Sequence, residues 1–222
     1  MTQVDASMPL KLYYHPLAAF CHKVLIALYE NDIAFEPHIV DLGDPAARAA
    51  FLSLWPIGKM PVLCDVERDR IVPESTTIIE YLSDHFPEKT PLVPLGADLA
   101  RQTRLRDRVY DHYVMHPMQK IVTDRLRPEG AHDPYGVDQA RAQLRVAYGM
   151  VERDMATRTW AMGEAFTMAD CAAAPALYYA NRVEPLGEGH PNASAYLARL
   201  VARPSYARVL AEAAPYDKMF PA

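Results

Sequence analysis

PEKTPLVPLG, residues 87–96, holds three prolines and a glycine within ten residues and divides the chain in two. Proline lacks a backbone N–H and fixes its own φ, so neither a helix nor a central strand runs through such a stretch. Before it, strand and helix signals alternate. LKLYY (10–14) reads as a strand and FCHKVLIALYEN (20–31) as a helix. AFEPHIVDL (34–42) is a second strand, and DPAARAAFLSLW (44–55) a helix opened by Asp-Pro. MPVLCDV and DRIVPE make a hairpin around the charged turn Glu67–Asp69. ESTTIIEYLSDHF (74–86) closes this part as an amphipathic helix with Ile78, Ile79 and Leu82 on one face. After the break the strand signal is gone.

The order β-α-β-α-β-β-α is that of a thioredoxin-like α/β domain, here over residues 8–86, with 87–96 as linker. Residues 97–222 read as an all-α domain. One long helix fits 97–126, and further helical stretches begin near DPYGVDQAR, TMADCAAAP, NASAYLARL and PSYARVLAEA. A chain of 222 residues is long enough for two small domains, and its 50% apolar content can fill their cores.

Net charge is −5, which gives no general attraction to nucleic acid or acidic membranes. Cys21, Cys64 and Cys171 form an odd set without a Cys-x-x-Cys, so neither a disulfide framework nor a metal site is expected. MTQVDASMP has an early acid and no apolar stretch, unlike a secretory signal, and no apolar run approaches the roughly 18 residues of a membrane span. The expectation is a reduced, cytoplasmic protein.

Three motifs stand out. In WPIGKMPVL (55–63), Pro61 enters a strand after a Gly-Lys turn and marks an edge or an unusual peptide bond. A cis Met60–Pro61 bond would present the N–H and C=O of Val62 to an extended peptide; an ordinary turn proline explains the fragment equally well. In PESTTIIEYL (73–82), Ser75 at a helix start offers free N–H groups and a positive dipole end for a carboxylate. Glu74 beside it suits an ammonium, although a plain cap with a solvated Glu also fits. In GEAFTMADCAAAP (163–175), Thr167 and Asp170 have capping-box spacing with Phe166 as a staple, a structural device.

Taken together, these segments resemble the glutathione transferase family over nearly the whole chain. WPIGKMPVL is similar to its Asn-Pro-x-Gly-x-Val-Pro segment, with Trp55 in place of the usual Asn. PESTTIIEYL resembles its Glu-Ser-x-x-Ile-x-x-Tyr-Leu segment, and FTMADCAAAP its Phe-Ser/Thr-x-Ala-Asp helix start. The resemblance implies glutathione as co-substrate. Lys59 would meet its glycine carboxylate, and Met60, Pro61 and Val62 would bind the cysteinyl backbone. Glu74 and Ser75 would hold the γ-glutamyl end. It implies a homodimer as well.

Against the serine and cysteine classes of that family, HPLAAFCHKV puts Ala18 where the activating hydroxyl or thiol stands. The remaining candidates for thiol activation are Tyr14, whose YHP context resembles that of the tyrosine classes, and the N–H groups of Ala19 and Phe20. Cys21 occupies the resolving position of a glutaredoxin-like pair, but also fits a small buried hydrophobe. His15 and His22 read as surface or capping residues. Tyr110, Tyr113, Val114 and Pro117 are expected to line an acceptor pocket between the domains. The function implied is transfer of glutathione sulfur to small electrophiles. The alternatives are a thiol–disulfide oxidoreductase using Cys21 and a non-catalytic glutathione or ligand binder.

Overall fold

The computed structural model describes residues 9–221. Residues 1–8 and 222 lie outside the described part, and with them the N-terminal stretch and the outer limits of both expected domains. The first half comprises β1 (Leu10–Tyr14), α1 (Ala19–Glu30), β2 (Glu36–Ile39), α2 (Pro45–Leu54), β3 (Val62–Asp65), β4 (Arg70–Pro73) and α3 (Ser75–His85). Its sheet runs β2-β1-β3-β4, with β2 parallel to β1 and the other pairs antiparallel.

The alternation Leu10, Leu12, Tyr14 on β1 puts these side chains into a core shared with Val24, Leu25 and Leu28 of α1 and Ile78, Ile79 and Leu82 of α3. Tyr13, on the opposite face, packs with Val40, Phe51 and Val62. The second strand is shorter than its apolar pattern suggests. The α2 helix starts where expected, with Asp44 accepting the Ala46 N–H at 2.8 Å.

The second half is helical: α4 (Ala97–Val109), α5 (His116–Arg125), α6 (Pro134–Met155), α7 (Met168–Val183), α8 (Pro191–Ala202), α9 (Pro204–Ala213) and a 3-10 turn (Ala214–Met219). The long helix expected over 97–126 is there, but its middle, Tyr110–Met115, is a π-helix. Such wider turns add a residue to the helical repeat and often occur at functional sites. The α7 helix is the centre of this half, buried along nearly its whole length. Its start is the capping box read from the sequence. Thr167 accepts from Ala169 N, and Asp170 accepts from Thr167 N at 2.8 Å, Ala161 N at 2.8 Å and the Tyr196 hydroxyl at 2.6 Å.

The connection 87–96 is anchored rather than free. Asn31 accepts from the N–H groups of Lys89 and Thr90, and Leu92 is buried, its carbonyl accepting from Met168 N. Among the described residues no helix is long and apolar enough to cross a membrane, and no group of three or more His, Cys, Asp or Glu could hold a metal ion.

Candidate functional site

Strand register gathers the motifs at one end of the sheet. Tyr13 pairs with Val62, and Val62 with Pro73, so one row crosses β1, β3 and β4. Beyond Tyr13 the chain turns at Pro16 into the α1 start. Just before Val62 lie Lys59 and the cis Met60–Pro61 peptide, and just after Pro73 come Glu74 and Ser75. Three segments far apart in sequence therefore end on the same edge. Pro73 has no N–H to give the ladder opposite Val62, so regular pairing stops there.

Glu74 has φ +69° and ψ 119°, a conformation that costs a non-glycine residue on the order of 1–3 kcal/mol. It is the N-cap of α3, yet its side chain makes no cap hydrogen bond and is exposed. Its carboxylate is thus committed to nothing inside the helix. Ser75, only 5% exposed, is the first residue of α3, where N–H groups lack intrahelical partners. A negative group is favoured there, and a positive one next to it at Glu74. Lys59 is exposed on the turn before Pro61.

At α1, Ala18 is the N-cap, and its methyl offers no cap. The Ala18 carbonyl accepts from Cys21 N at 2.8 Å and His22 N at 3.1 Å. That leaves Ala19 and Phe20 as the two unengaged N–H donors of this helix start among the described residues. Ala18 and Ala19 border a cleft of about 210 Å³ between the halves, closed by Met118 and Val122 of α5, Tyr179 of α7 and Phe220. Phe220 stacks on Tyr179 with ring centroids 5.5 Å apart.

Tyr14 and Cys21, two further candidate catalytic residues, do not line the cleft at Ala18. Tyr14 is 8% exposed and turns to a different cavity, about 430 Å³, beside Tyr29, Arg208 and Glu212. Burial, then the Glu212 carboxylate, push its phenol above the usual range. Cys21 is fully buried, and burial pushes its thiol up to about 12. That burial is the environment of a small packed hydrophobe and opposes thiolate formation at Cys21.

His15 is half-buried, its Nδ1 accepting the Leu17 N–H at 3.2 Å. His22 is wholly buried, its Nε2 2.5 Å from the Pro16 carbonyl. His15 thus caps a local turn, whereas His22 is not at the surface and holds the loop that carries Ala18.

The expected acceptor wall needs correcting. Tyr110, Val114 and Pro117 are buried in the helical core, and Tyr113 is 50% exposed on a groove with Val146 and Met150. None of the four borders the cleft at Ala18. The spacing of Tyr110, Val114 and Pro117 marks the stripe that packs inward, and the wall of the cleft is carried one turn later, at Met118 and Val122. Tyr179 and Phe220 had no local signal, since an aromatic in a helix or a tail reads the same in core and pocket.

The sequence reading also missed the charged residues that flank the π-turn. Arg108 lies within reach of the Glu74 field, and His116 packs edge-on against Phe20 with ring centroids 6.4 Å apart. Burial, then the neighbouring His112, pull His116 below the ordinary histidine range, and the Lys59 charge adds to this. The helical half therefore faces the same edge of the sheet.

Comparison with known proteins places the whole chain in a family. Residues 12–90 match the model for the glutathione S-transferase N-terminal domain, and residues 114–204 that for its C-terminal domain. The chain belongs to the glutathione S-transferase family. It is 30% identical to glutathione S-transferase 3 of Zea mays over 210 residues, 91% of this chain and 94% of that protein. It is 31% identical to a stringent starvation protein A homologue of Pasteurella multocida over 206 residues, 90% and 89% of the two chains. Among solved structures, a glutathione S-transferase from Methylobacillus flagellatus KT with GSH bound superposes with a TM-score of 0.82 at 25% identity, covering 90% of this chain and 98% of that one. A sheet-bearing N-terminal domain followed by a helical C-terminal domain is the glutathione S-transferase fold, as the sequence motifs implied.

Proposed function

We propose that this glutathione S-transferase-like enzyme binds glutathione along the edge Lys59–Val62–Glu74–Ser75 and transfers its sulfur to small apolar electrophiles in the cleft beside Ala18. The observation that carries this reading is the Tyr13–Val62–Pro73 row, which delivers an exposed cation, an open strand end and a strained, uncommitted Glu74 to one place. Lys59 takes the glycine carboxylate, Val62 the cysteinyl backbone, and Glu74 the γ-glutamyl ammonium, with the matching carboxylate on the α3 start at Ser75. That alignment points the cysteinyl sulfur at the α1 start.

Chemistry then depends on the thiolate. A thiol near 8.5 is only a few per cent ionised at pH 7, and lowering it by two units takes about 2.7 kcal/mol of selective stabilisation. Donors to a charged acceptor contribute about 1.5–3 kcal/mol each, and the helix dipole about 0.3–1 kcal/mol. The Ala19 and Phe20 N–H groups with the α1 dipole reach that figure without a hydroxyl. Glutathione gives its proton to solvent. The sulfur pair then forms a C–S bond to the electrophile, which expels a leaving group or accepts the charge on an activated double bond. Conjugation assays over a panel of aryl halides and enones test this, and no turnover above the solution rate would refute it.

One observation favours a second reading, a glutathione or ligand binder without chemistry. Ala18 removes the usual activating group, and a relative of similar identity bears the name stringent starvation protein A homologue rather than transferase. Saturable glutathione binding without turnover would select it.

A further inference from the structure

The cavity beside Tyr14 shares no lining residue with the cleft at Ala18. It measures about 430 Å³, within the range of small-molecule sites. The end of α1 and the loop into β2 supply apolar walls, Leu28, Ile33 and Phe35, together with the ring of Tyr29. Helix α9 supplies an ion pair, Arg208 with Glu212.

The polar groups of this cavity divide into engaged acceptors and open donors. Glu212 accepts from the Tyr29 hydroxyl at 2.7 Å through one oxygen and from Arg208 Nε at 2.9 Å through the other. Asp32, the other carboxylate of the lining, is paired with Lys89. The Arg208 guanidinium lies over the Tyr29 ring, 3.8 Å from its centroid. A cationic ligand would therefore meet paired carboxylates and an aromatic face already covered. Donors remain. One carboxylate engages at most one edge of a guanidinium fork, so Arg208 keeps another edge open. Tyr14 is only 8% exposed, and its hydroxyl makes no hydrogen bond among the described residues. A buried hydroxyl without a partner is costly, and a ligand that accepts from it removes that cost. The Glu212 charge is felt at Tyr14, and Arg208 holds that same carboxylate, so both donors serve one end of the cavity.

We propose that this cavity binds small carboxylic acids with an apolar, ring-sized body, apart from the glutathione edge and the acceptor cleft. The carboxylate takes the open edge of Arg208 and the Tyr14 hydroxyl, and the body packs on Leu28, Ile33 and Phe35. Among the described residues no Cys, Ser, Thr, His or Lys lines the cavity, and the acid is bound rather than transformed. Tyr14, set aside as an activator of the thiol, thereby gains a ligand of its own.

Calorimetry on the whole chain tests it with 3-phenylpropanoate and its neutral amide, 3-phenylpropanamide. One saturable site is expected for the acid, with the amide about tenfold weaker or more. Arg208→Met should weaken the acid about ten- to a hundredfold and leave the amide within about twofold of wild type. Tyr14→Phe should weaken both ligands about three- to tenfold, since both accept from the phenol. Millimolar glutathione should leave the affinity for the acid unchanged. Displacement by glutathione would put the acid in the reaction site, and tighter binding of 3-phenylpropylamine than of the acid would reverse the charge preference; either overturns the proposal. So would the absence of saturable binding, or equal loss of acid and amide in Arg208→Met. If that variant does not fold, phenylglyoxal labelling of the native protein decides the matter. The acid should protect Arg208, located by peptide mass spectrometry, and undiminished labelling at saturation would contradict the assignment.

Discussion

The methyl group of Ala18 stands at a helix N-cap where serine would both cap the helix and add a donor to bound sulfur. Ala18→Ser should lower the thiol pKa of bound glutathione by roughly one to two units, the equivalent of one hydrogen bond to a charged acceptor. Ultraviolet titration of the thiolate checks this, and an unchanged pKa would mean that the sulfur lies away from α1. Tyr14→Phe is expected to leave the titration alone, since that phenol faces the Glu212 cavity. Glu74 carries a second residue-scale consequence. Glycine adopts its φ of +69° freely, so Glu74→Gly should raise the unfolding free energy by about 1 kcal/mol while weakening glutathione. A variant that lost both stability and affinity would show that Glu74 is held by contacts of its own. The motif around Glu74 was legible in the sequence, but its backbone strain was not, because nothing in Pro-Glu-Ser-Thr dictates a positive φ. The fate of Tyr14 was equally hidden, since strand alternation fixes the face of β1 and not which cavity the ring fills.

The α7 start and the α1 loop are held by buried polar groups. Asp170→Ala would strand the N–H groups of Ala161 and Thr167 and the Tyr196 hydroxyl inside the core, a loss of about 2–5 kcal/mol. Thermal unfolding should register it, with activity per folded molecule retained; stability kept and activity lost would move Asp170 into the site. In α1, burial drives the His22 imidazole down to about 4. The unfolded chain protonates near 6.5 and the folded chain does not, so His22 favours unfolding as pH falls below 6.5. Between pH 7 and 5 this amounts to about 2 kcal/mol. His22→Phe should lose that much less stability over the interval in urea melts, and an identical fall would place the effect in other groups. The elements themselves were well marked in the sequence. Caps at Asp44 and Thr167 and the Pro-rich break fixed their ends, whereas the π-turn at Tyr110–Met115 left no trace, because an inserted residue changes the phase of a helix without changing its composition.

Across the whole molecule, exposed Tyr113 of the π-turn and Val146 of α6 line one apolar groove that a second copy could cover. The expected homodimer would use it, and light scattering at micromolar concentration should give about twice the 24.9 kDa chain mass, reduced to one chain by Val146→Arg. A single-chain mass for the wild type would exclude it. The sheet half of the proposed site rests on local motifs, whose meeting at one end of the sheet follows from the strand register. The cleft wall was not legible in the sequence, since Met118, Val122, Tyr179 and Phe220 meet the α1 start only through tertiary packing, and the inward stripe of Tyr110 and Val114 imitated a pocket wall. The central claim is that glutathione lies along the row ending in Val62, Glu74 and Ser75. Calorimetric titration of glutathione into wild type and Glu74→Ala tests it most directly. One saturable site is expected in the wild type, weakened about tenfold to a hundredfold when the carboxylate that meets the ammonium is removed. Equal affinity in the two proteins would contradict it.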